Sequence, residues 1–136
     1  MRIMAIDYGD VRTGFAVSDA SATLAGEAWV LSAKNPREVA ETIARGAIER
    51  SVTLIVVGYP KNMDGSEGAR AKKSAALAEL IRTKCDIEVI LWDERMTTIS
   101  AHRILSDSGR YGKKRKKTVD AVAASLILES YLDSLK

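Results

Sequence analysis

The chain has 136 residues, of which 46% are hydrophobic and 29% are charged, and its formal net charge is +3 at pH 7. These values predict a single globular domain over residues 1–136, and the absence of an apolar run near ~18 residues excludes a membrane-spanning sequence. The start, MRIMAID, becomes acidic too early for a secretory signal. Cys85 and His102 are the sole residues of their types, which excludes an internal disulfide and metal sites built from several Cys or His. We therefore expect a protein of the reducing cytoplasm with no membrane partner.

The first half of the chain contains three predicted strands and one helix. Residues 2–6 (RIMAI) and 13–18 (TGFAVS) are short apolar runs on either side of a polar turn, which predicts a β-hairpin. A third strand is predicted at 27–33. Pro36 then starts a helical stretch with an apolar stripe formed by Val39, Ile43 and Ala47.

Strands alternate with helices in the second half. Residues 53–57 (TLIVV) and 88–92 (EVILW) are apolar runs of the kind found in buried parallel strands. Helices are predicted at 67–84, from Thr97 or Thr98 to about Asp107, and from Thr118 to about Leu135. The order βββαβαβαα predicts an α/β domain with a mixed five-stranded sheet, a meander followed by alternating helices and strands, flanked by helices.

Positive charge is concentrated in one segment. Residues 95–117 contain eight Lys or Arg and one acid, a local charge of +7, whereas the rest of the chain has 13 bases and 17 acids. A local positive field on a nearly neutral body favours a polyanionic partner, most simply nucleic acid. Its densest part is the run Lys113, Lys114, Arg115, Lys116 and Lys117, which we place in a loop. The alternative is a solvated basic loop without a partner.

Acidic residues follow two of the predicted strands. Asp7 ends the first strand, and Asp93 and Glu94 end the strand at 88–92. Taken singly, Asp7 fits a turn residue, and Asp93 or Glu94 fits a local ion pair with Arg95. Parallel strands, however, bring their carboxyl ends to one edge of a sheet, where sites in such folds form.

Asp120 lies near the start of the last predicted helix. At about 100° per residue it falls on the side of Ala124, Ile127 and Tyr131, away from Ser125 and Glu129. One interpretation is an acid that stabilises the helix N-terminus. An inward carboxylate is costly without a cation. The other interpretation is therefore that Asp120 joins Asp7 and an acid at the end of the 88–92 strand, Asp93 or Glu94, around divalent ions. Oxygen ligands favour Mg²⁺ or Mn²⁺, and two such ions suit phosphodiester hydrolysis.

Four motifs together resemble the YqgF (RuvX) family: DYGDVRTGFAVSD, GYPKNMDGSEG, LWDERMTT and KKRKKTVDAVAASLILESYLDS. They occur in order over essentially the whole chain. The family is described both as Holliday junction resolvases and as nucleases that mature the 5′ end of pre-16S ribosomal RNA. The resemblance implies an RNase H-like fold related to RuvC, and a metal-dependent nuclease of the two-metal-ion type that acts in ribosome biogenesis.

The family's functional residues map onto this chain one by one. Its first-strand acid falls on Asp7, its D-E-R acid on Glu94 with Asp93 as neighbour, and its last-helix acid on Asp120. The hairpin arginine falls on Arg12, and the Gly-x-Pro loop falls on Gly58 and Pro60. Ser100 stands where many relatives have another acid. The resemblance implies catalytic and metal-binding roles for the three acids. It also implies that residues 113–117 hold the phosphate backbone.

Several alternatives stay open at this point. The substrate is structured RNA, such as a ribosomal precursor, or a four-way DNA junction, and a non-catalytic RNA-binding module is a third function. Asp7–Gly14 also matches weakly the phosphate-binding hairpin of the actin, Hsp70 and sugar-kinase superfamily. Arg12 contacts a substrate phosphate or, alternatively, pairs with Asp10. A symmetric junction would require a homodimer, whereas trimming one RNA end would need only a monomer.

Overall fold

The structure is a computed structural model that describes residues 1–22, 25–33, 35–96 and 115–136, with the side chains of the last segment described from residue 122 onward. The strands are β1 (Arg2–Tyr8), β2 (Arg12–Ser18), β3 (Ala25–Ser32), β4 (Val52–Tyr59) and β5 (Glu88–Asp93). The helices with assigned bounds are α1 (Pro36–Glu49), α2 (Ala69–Lys84) and α3 (Arg115–Ser134). Residues 94–96 form a helical turn directly after β5. The predicted helix from Thr97 or Thr98 to about Asp107 lies outside the described residues.

The strands form one five-stranded sheet in the order β3-β2-β1-β4-β5. The pairs β1–β2 and β2–β3 are antiparallel, whereas β1–β4 and β4–β5 are parallel. The predicted mixed sheet is therefore confirmed, with the meander on one side and the crossover strands on the other. The carboxyl ends of β1, β4 and β5 lie at the same edge of the sheet, which we call the carboxyl edge.

The two faces of the sheet pack against different helices. Met4 and Ile6 of β1 belong to a buried cluster with residues of α1 and α2, whereas Ile3 and Ala5 belong to a second cluster with residues of α3. This division follows from the alternation of side chains along a strand. Because each fully buried large apolar side chain contributes roughly 1.5–3 kcal/mol, both clusters help to hold the carboxyl edge in place.

Helix α1 begins as its sequence predicts. Asn35 is the N-cap, its side-chain oxygen accepts a hydrogen bond from the Arg37 amide at 2.9 Å, and Pro36 occupies the first turn.

Helix α3 begins earlier than predicted. It starts at Arg115 rather than at Thr118, so Arg115, Lys116 and Lys117 belong to its first turn and not to a loop. The prediction relied on Thr118 as a cap, but Lys and Arg are themselves good helix formers, and neither Gly nor Pro separates them from the helix. The basic run therefore continues directly into the helix that bears Asp120.

Candidate active site

The register of the sheet brings the end of β1 next to the end of β4, with β5 on the far side of β4. Ile6 pairs with Val57, so Asp7 is level with Gly58, and Gly58 pairs with Trp92 of β5. Glu94 follows β5 directly as the first residue of the helical turn. Asp7 and Glu94 are thus separated by one intervening strand, and the residue between them is a glycine.

Asp7 lies on the face of the sheet that α3 covers. Side chains alternate along β1, and Ile3 and Ala5 pack in the cluster that contains Ala124, Ile127 and Leu128 of α3. Asp7 continues the same series of alternate residues. Ile90 and Trp92 of β5 also pack against this cluster. The face that carries Asp7 is therefore covered by the helix on which Asp120 lies.

Gly58 leaves the space that Glu94 occupies. A Cβ atom at position 58 would lie 3.1 Å from Cδ and 3.3 Å from Cγ of Glu94, and 2.6 Å from Cδ1 of Ile127. The Glu94 side chain therefore passes over the backbone of β4, directly above Gly58 and beside Ile127. This placement carries the Glu94 carboxyl group from the end of β5 toward Asp7.

The electrostatics agree with this proximity. The pKa of Glu94 is raised from 4.5 to about 7, first by burial and then by the negative charge of Asp7, against an opposing effect of Arg70. Glu94 therefore lies close enough to Asp7 for the negative charge of Asp7 to disfavour the ionised form of Glu94. Such a pair is stabilised either by a proton or by a cation.

Asp93 has a different role from its neighbour. Its carboxylate accepts hydrogen bonds from Nε of Arg95 at 2.9 Å and from Nη2 of Arg95 at 2.6 Å. It also accepts one from the Arg95 amide at 2.9 Å, and these bonds hold the pKa of Asp93 below its usual range. The local ion pair predicted as the alternative for Asp93 or Glu94 is therefore formed by Asp93.

Asp120 lies in the second turn of α3, and its side chain is outside the described part of the chain. The residue one turn later, Ala124, is fully buried, and Ile127 contacts the position of Gly58. By helical spacing, position 120 belongs to the same stripe of α3 as these two residues. Among the described side chains, no group of three His, Cys, Asp or Glu is placed to hold a metal ion. We call Asp7 and Glu94, whose charges interact, the acidic pair.

The β1–β2 hairpin that follows Asp7 carries further charged groups. Asp10 accepts a hydrogen bond from Nζ of Lys73 at 2.9 Å, and this bond lowers the pKa of Asp10. Arg12 begins β2 and is exposed. The sequence alone did not point to Lys73 or Arg70, because nothing local indicates that the start of α2 faces this hairpin.

The structure describes only part of the predicted phosphate-binding run at residues 113–117. Lys113 and Lys114 lie outside the described residues, while Arg115, Lys116 and Lys117 form the start of α3. Their charges therefore lie at the same end of α3 as Asp120. The roles of all the predicted site residues remain predictions.

None of the helices in the described ranges is long and apolar enough to cross a membrane.

Sequence comparisons place nearly the whole chain in one family. A sequence model of the RuvX family, described as Holliday junction resolvase, matches residues 1–134. A protein of Halothermothrix orenii named "Putative pre-16S rRNA nuclease" is 45% identical over 134 residues, covering 98% of this chain and 95% of that protein.

Two solved structures show the same fold at low sequence identity. RuvC of Thermus thermophilus matches with a TM-score of 0.59 and 14% identity, covering 98% of this chain and 96% of that one. The Holliday junction resolvase of fowlpox virus matches with a TM-score of 0.57 and 15% identity over the full length of both chains. The predicted RNase H-like fold is confirmed by these neighbours.

Proposed function

The chain belongs to the RuvX family, and from this premise we propose that it is a metal-dependent nuclease that processes the 5′ end of pre-16S ribosomal RNA in the cytoplasm. The observation that carries the proposal is the placement of Glu94 over Gly58, toward Asp7 and under α3. This arrangement brings acids from two separate strands to one point on the carboxyl edge. Its relatives named as pre-16S rRNA nucleases supply the substrate class.

The residues present fit Mg²⁺ or Mn²⁺. Asp7 and Glu94 offer hard oxygen ligands, and the pKa of Glu94 is raised first by burial and then by the negative charge of Asp7, which is an environment that a divalent cation would suit. We assign Asp120 as the third ligand, because its position lies on the stripe of α3 that faces the sheet. When bound, two such ions would activate a water molecule and stabilise the leaving oxygen of the phosphodiester.

The protein's own groups would position the substrate around this centre. Arg12 begins the strand that pairs with β1, and a guanidinium can bind a phosphate through two parallel hydrogen bonds. Residues 113–117 lead into α3 and would hold the backbone further along the strand. Ile127 packs over Gly58 and limits access of solvent to the Glu94 carboxyl group from the α3 side.

A second candidate substrate is a four-way DNA junction. The family description and the RuvC-like fold favour it, and the same carboxylates would serve the same hydrolysis. Resolving a symmetric junction requires two active sites related by a twofold axis, hence a homodimer, whereas a monomer can trim an RNA end.

A parallel cleavage assay tests the proposal. The full chain is incubated with RNA carrying the 5′ end of a 16S precursor and, separately, with a four-way DNA junction, in Mg²⁺ or in EDTA. We expect cleavage of the RNA in Mg²⁺ alone, and loss of cleavage but retention of RNA binding in Asp7→Asn. The matched control is Asp10→Asn, which removes an exposed acid of the same hairpin and should keep activity. Preferred cleavage of the junction would replace the RNA assignment, and metal-independent cleavage would refute the assigned ligand set.

A further inference from the structure

Three exposed apolar side chains lie at the carboxyl edge. Met63 is 88% exposed, and Val11 and Met96 are each 51% exposed. Val11 lies in the turn between β1 and β2, Met63 lies in the loop between β4 and α2, and Met96 lies in the turn after β5. These three segments leave the strands that supply Asp7, Gly58 and Glu94. The three side chains, which we call the apolar row, therefore follow the ends of the strands that build the acidic site.

Met63 stands at the tip of a closed loop. The Asn62 amide donates to the Ser66 carbonyl at 3.0 Å, and Nδ2 of Asn62 donates to Oγ of Ser66 at 2.9 Å. Asp64 accepts a hydrogen bond from the Ser66 amide at 2.8 Å, and Gly65 adopts a φ of +87°, which disfavours any side chain there. The backbone on both sides of Met63 is thereby held, and Met63 projects from it.

The loop also lies next to Arg95, which follows Glu94 in the chain. A Cβ atom on Gly65 would lie 3.7 Å from Nη1 of Arg95. The Arg95 guanidinium is in turn held by the carboxylate of Asp93, the residue before Glu94. Met63 is thus presented at a defined position relative to the Glu94 carboxyl group.

The charges around the apolar row indicate the kind of partner it fits. Arg12 follows Val11 and Lys61 lies two residues before Met63. The charge of Arg95, which precedes Met96, is already paired with Asp93. An alternation of apolar and cationic side chains matches a nucleic-acid strand whose bases are unpaired, because cations bind its phosphates while apolar groups contact the faces of its bases. A fully paired duplex offers its phosphates but covers its base faces.

We propose that Met63, with Val11 and Met96 at the same edge of the sheet, packs against an unpaired base next to the scissile phosphate, so that the substrate must contain unstacked nucleotides at the point of cleavage. This inference rests on the proposed nuclease function and narrows its substrate class to junctions between single-stranded and paired segments. A continuous duplex would bind through its phosphates alone.

The test compares Met63→Ser with Met63→Leu, which keeps an apolar side chain. The matched control is Ile48→Ser, which removes a similarly exposed apolar residue near the end of α1, at the opposite edge of the sheet. The probe is an RNA hairpin with a single-stranded 5′ leader that carries 2-aminopurine at its first unpaired position, and the comparison is a fully paired RNA duplex. Binding and fluorescence are measured in EDTA, so that neither depends on cleavage.

We expect Met63→Ser to bind the leader RNA about three- to tenfold more weakly and to lose the fluorescence change of the unpaired base. The slope of log affinity against log salt should stay unchanged, because no phosphate contact is removed. Met63→Leu should restore both values, and Ile48→Ser should match the wild type. Binding to the duplex should be equal in all four proteins.

Several outcomes would overturn the inference. Unchanged leader binding and fluorescence in Met63→Ser would show that Met63 does not contact a base. An equal loss on the duplex would show that base exposure is irrelevant. If Met63→Ser changed only the sedimentation coefficient of the RNA-free protein and not its RNA binding, the apolar row would instead contact a second copy of the chain. The nuclease proposal would fail in a different way: the wild-type protein would bind the leader RNA but would not cleave it in Mg²⁺.

Discussion

Position 58 shows how the absence of one carbon atom shapes the candidate site. The Glu94 side chain and Ile127 of α3 both occupy space that any Cβ atom at this position would require. Glycine here is needed for close approach and not for an unusual backbone conformation. A valine at the same point of β4, which would suit the strand itself, would separate Glu94 from Asp7.

The substitution Gly58→Ala therefore tests the packing and the site at once. We expect it to lower the free energy of unfolding by about 1–3 kcal/mol, because the methyl group overpacks the contact with Ile127 and Glu94. It should also weaken Mg²⁺ binding, measured by titration calorimetry, because Glu94 is displaced from Asp7. The control is Gly46→Ala in α1, where a Cβ atom would find its nearest neighbour at 3.4 Å. That change should stabilise the helix by up to about 1 kcal/mol. If Gly58→Ala bound Mg²⁺ as tightly as the wild type does, Gly58 would not be needed to let Glu94 approach Asp7.

Glu94 should make the metal-free protein less stable as the pH rises. Its pKa is about 7 in the folded protein against an ordinary value of 4.5, so the folded state binds more protons between these two values. The free energy of unfolding should therefore fall from about pH 4.5 to about pH 7 and level off above that range. The loss should be on the order of 1–2 kcal/mol, since solvent screens a partly exposed group.

Urea unfolding in EDTA at pH 5 and pH 8 measures this effect. Glu94→Gln keeps the shape of the side chain without its charge and should remove this part of the pH dependence. Glu88→Gln, which changes an exposed glutamate at the start of the same strand, should behave as the wild type does. A Glu94→Gln protein with the wild-type pH dependence would show that another group is responsible.

At the scale of elements, α3 connects the two kinds of charge that the function needs. It begins at Arg115 within the basic run, carries Asp120 in its second turn, and then packs Ala124, Ile127 and Leu128 on the sheet. A helix that starts this early holds the backbone of residues 115–117 at a fixed helical spacing from position 120. The proposed phosphate contacts and the proposed metal ligand thus lie on one rigid element.

Replacing residues 113–117 with alanine tests the phosphate contacts. We expect weaker binding to all nucleic acids alike, and a slope of log affinity against log salt that is shallower by about 0.7–0.9 per lost contact. Alanine preserves the propensity of this segment for helix, so the fold of α3 should not change. The control is a double variant that removes two cations far in sequence from residues 113–117: Arg45→Ala on α1 and Lys84→Ala on α2. This protein should keep the wild-type slope. An unchanged slope in the 113–117 variant would show that this segment does not touch the backbone.

At the scale of the whole molecule, the candidate metal site exists only in the folded chain. Asp7 and Glu94 belong to strands separated by a third strand, and Asp120 comes from a helix that packs over one face. A metal that binds this set binds the folded state and not the unfolded one, so it must raise the stability of the entire domain. Metal binding and global unfolding are therefore coupled.

Melting curves with and without Mg²⁺, on the wild type and on Asp120→Asn, measure this coupling. We expect Mg²⁺ to raise the Tm of the wild type and to have little effect on Asp120→Asn, whose cleavage should be abolished while RNA binding remains. Without metal the variant should be as stable as the wild type or more so, because one of three crowded negative charges is gone. A buried salt bridge at Asp120 would give the opposite, a loss of roughly 3–5 kcal/mol. Asp133→Asn, near the other end of α3, is the control and should keep the Mg²⁺ effect.

The order of elements and the mixed sheet were predictable because their signals are local. Apolar runs such as 53–57 and 88–92 mark strands by the character of adjacent residues, and Pro36 marks the start of α1. The start of α3 was predicted three residues too late, since a run of lysines looks the same in a loop and in a helix until its neighbours are known. The acids at the strand ends could be named from their positions, and their roles also from the family resemblance.

By itself, the sequence determined that Asp7 lies near the end of the first strand, that two acids lie at the end of the strand at 88–92, and that a basic run precedes an acid-bearing helix. The tertiary structure decided what no local pattern contains. Glu94 extends over Gly58 toward Asp7, whereas Asp93 is held by Arg95. Lys73 reaches Asp10 from a helix more than 60 residues away in the chain. These contacts depend on the register between β1, β4 and β5 and on which face α3 covers. Register and face are set by packing among residues that are distant in sequence, and so they arise only when the whole domain folds.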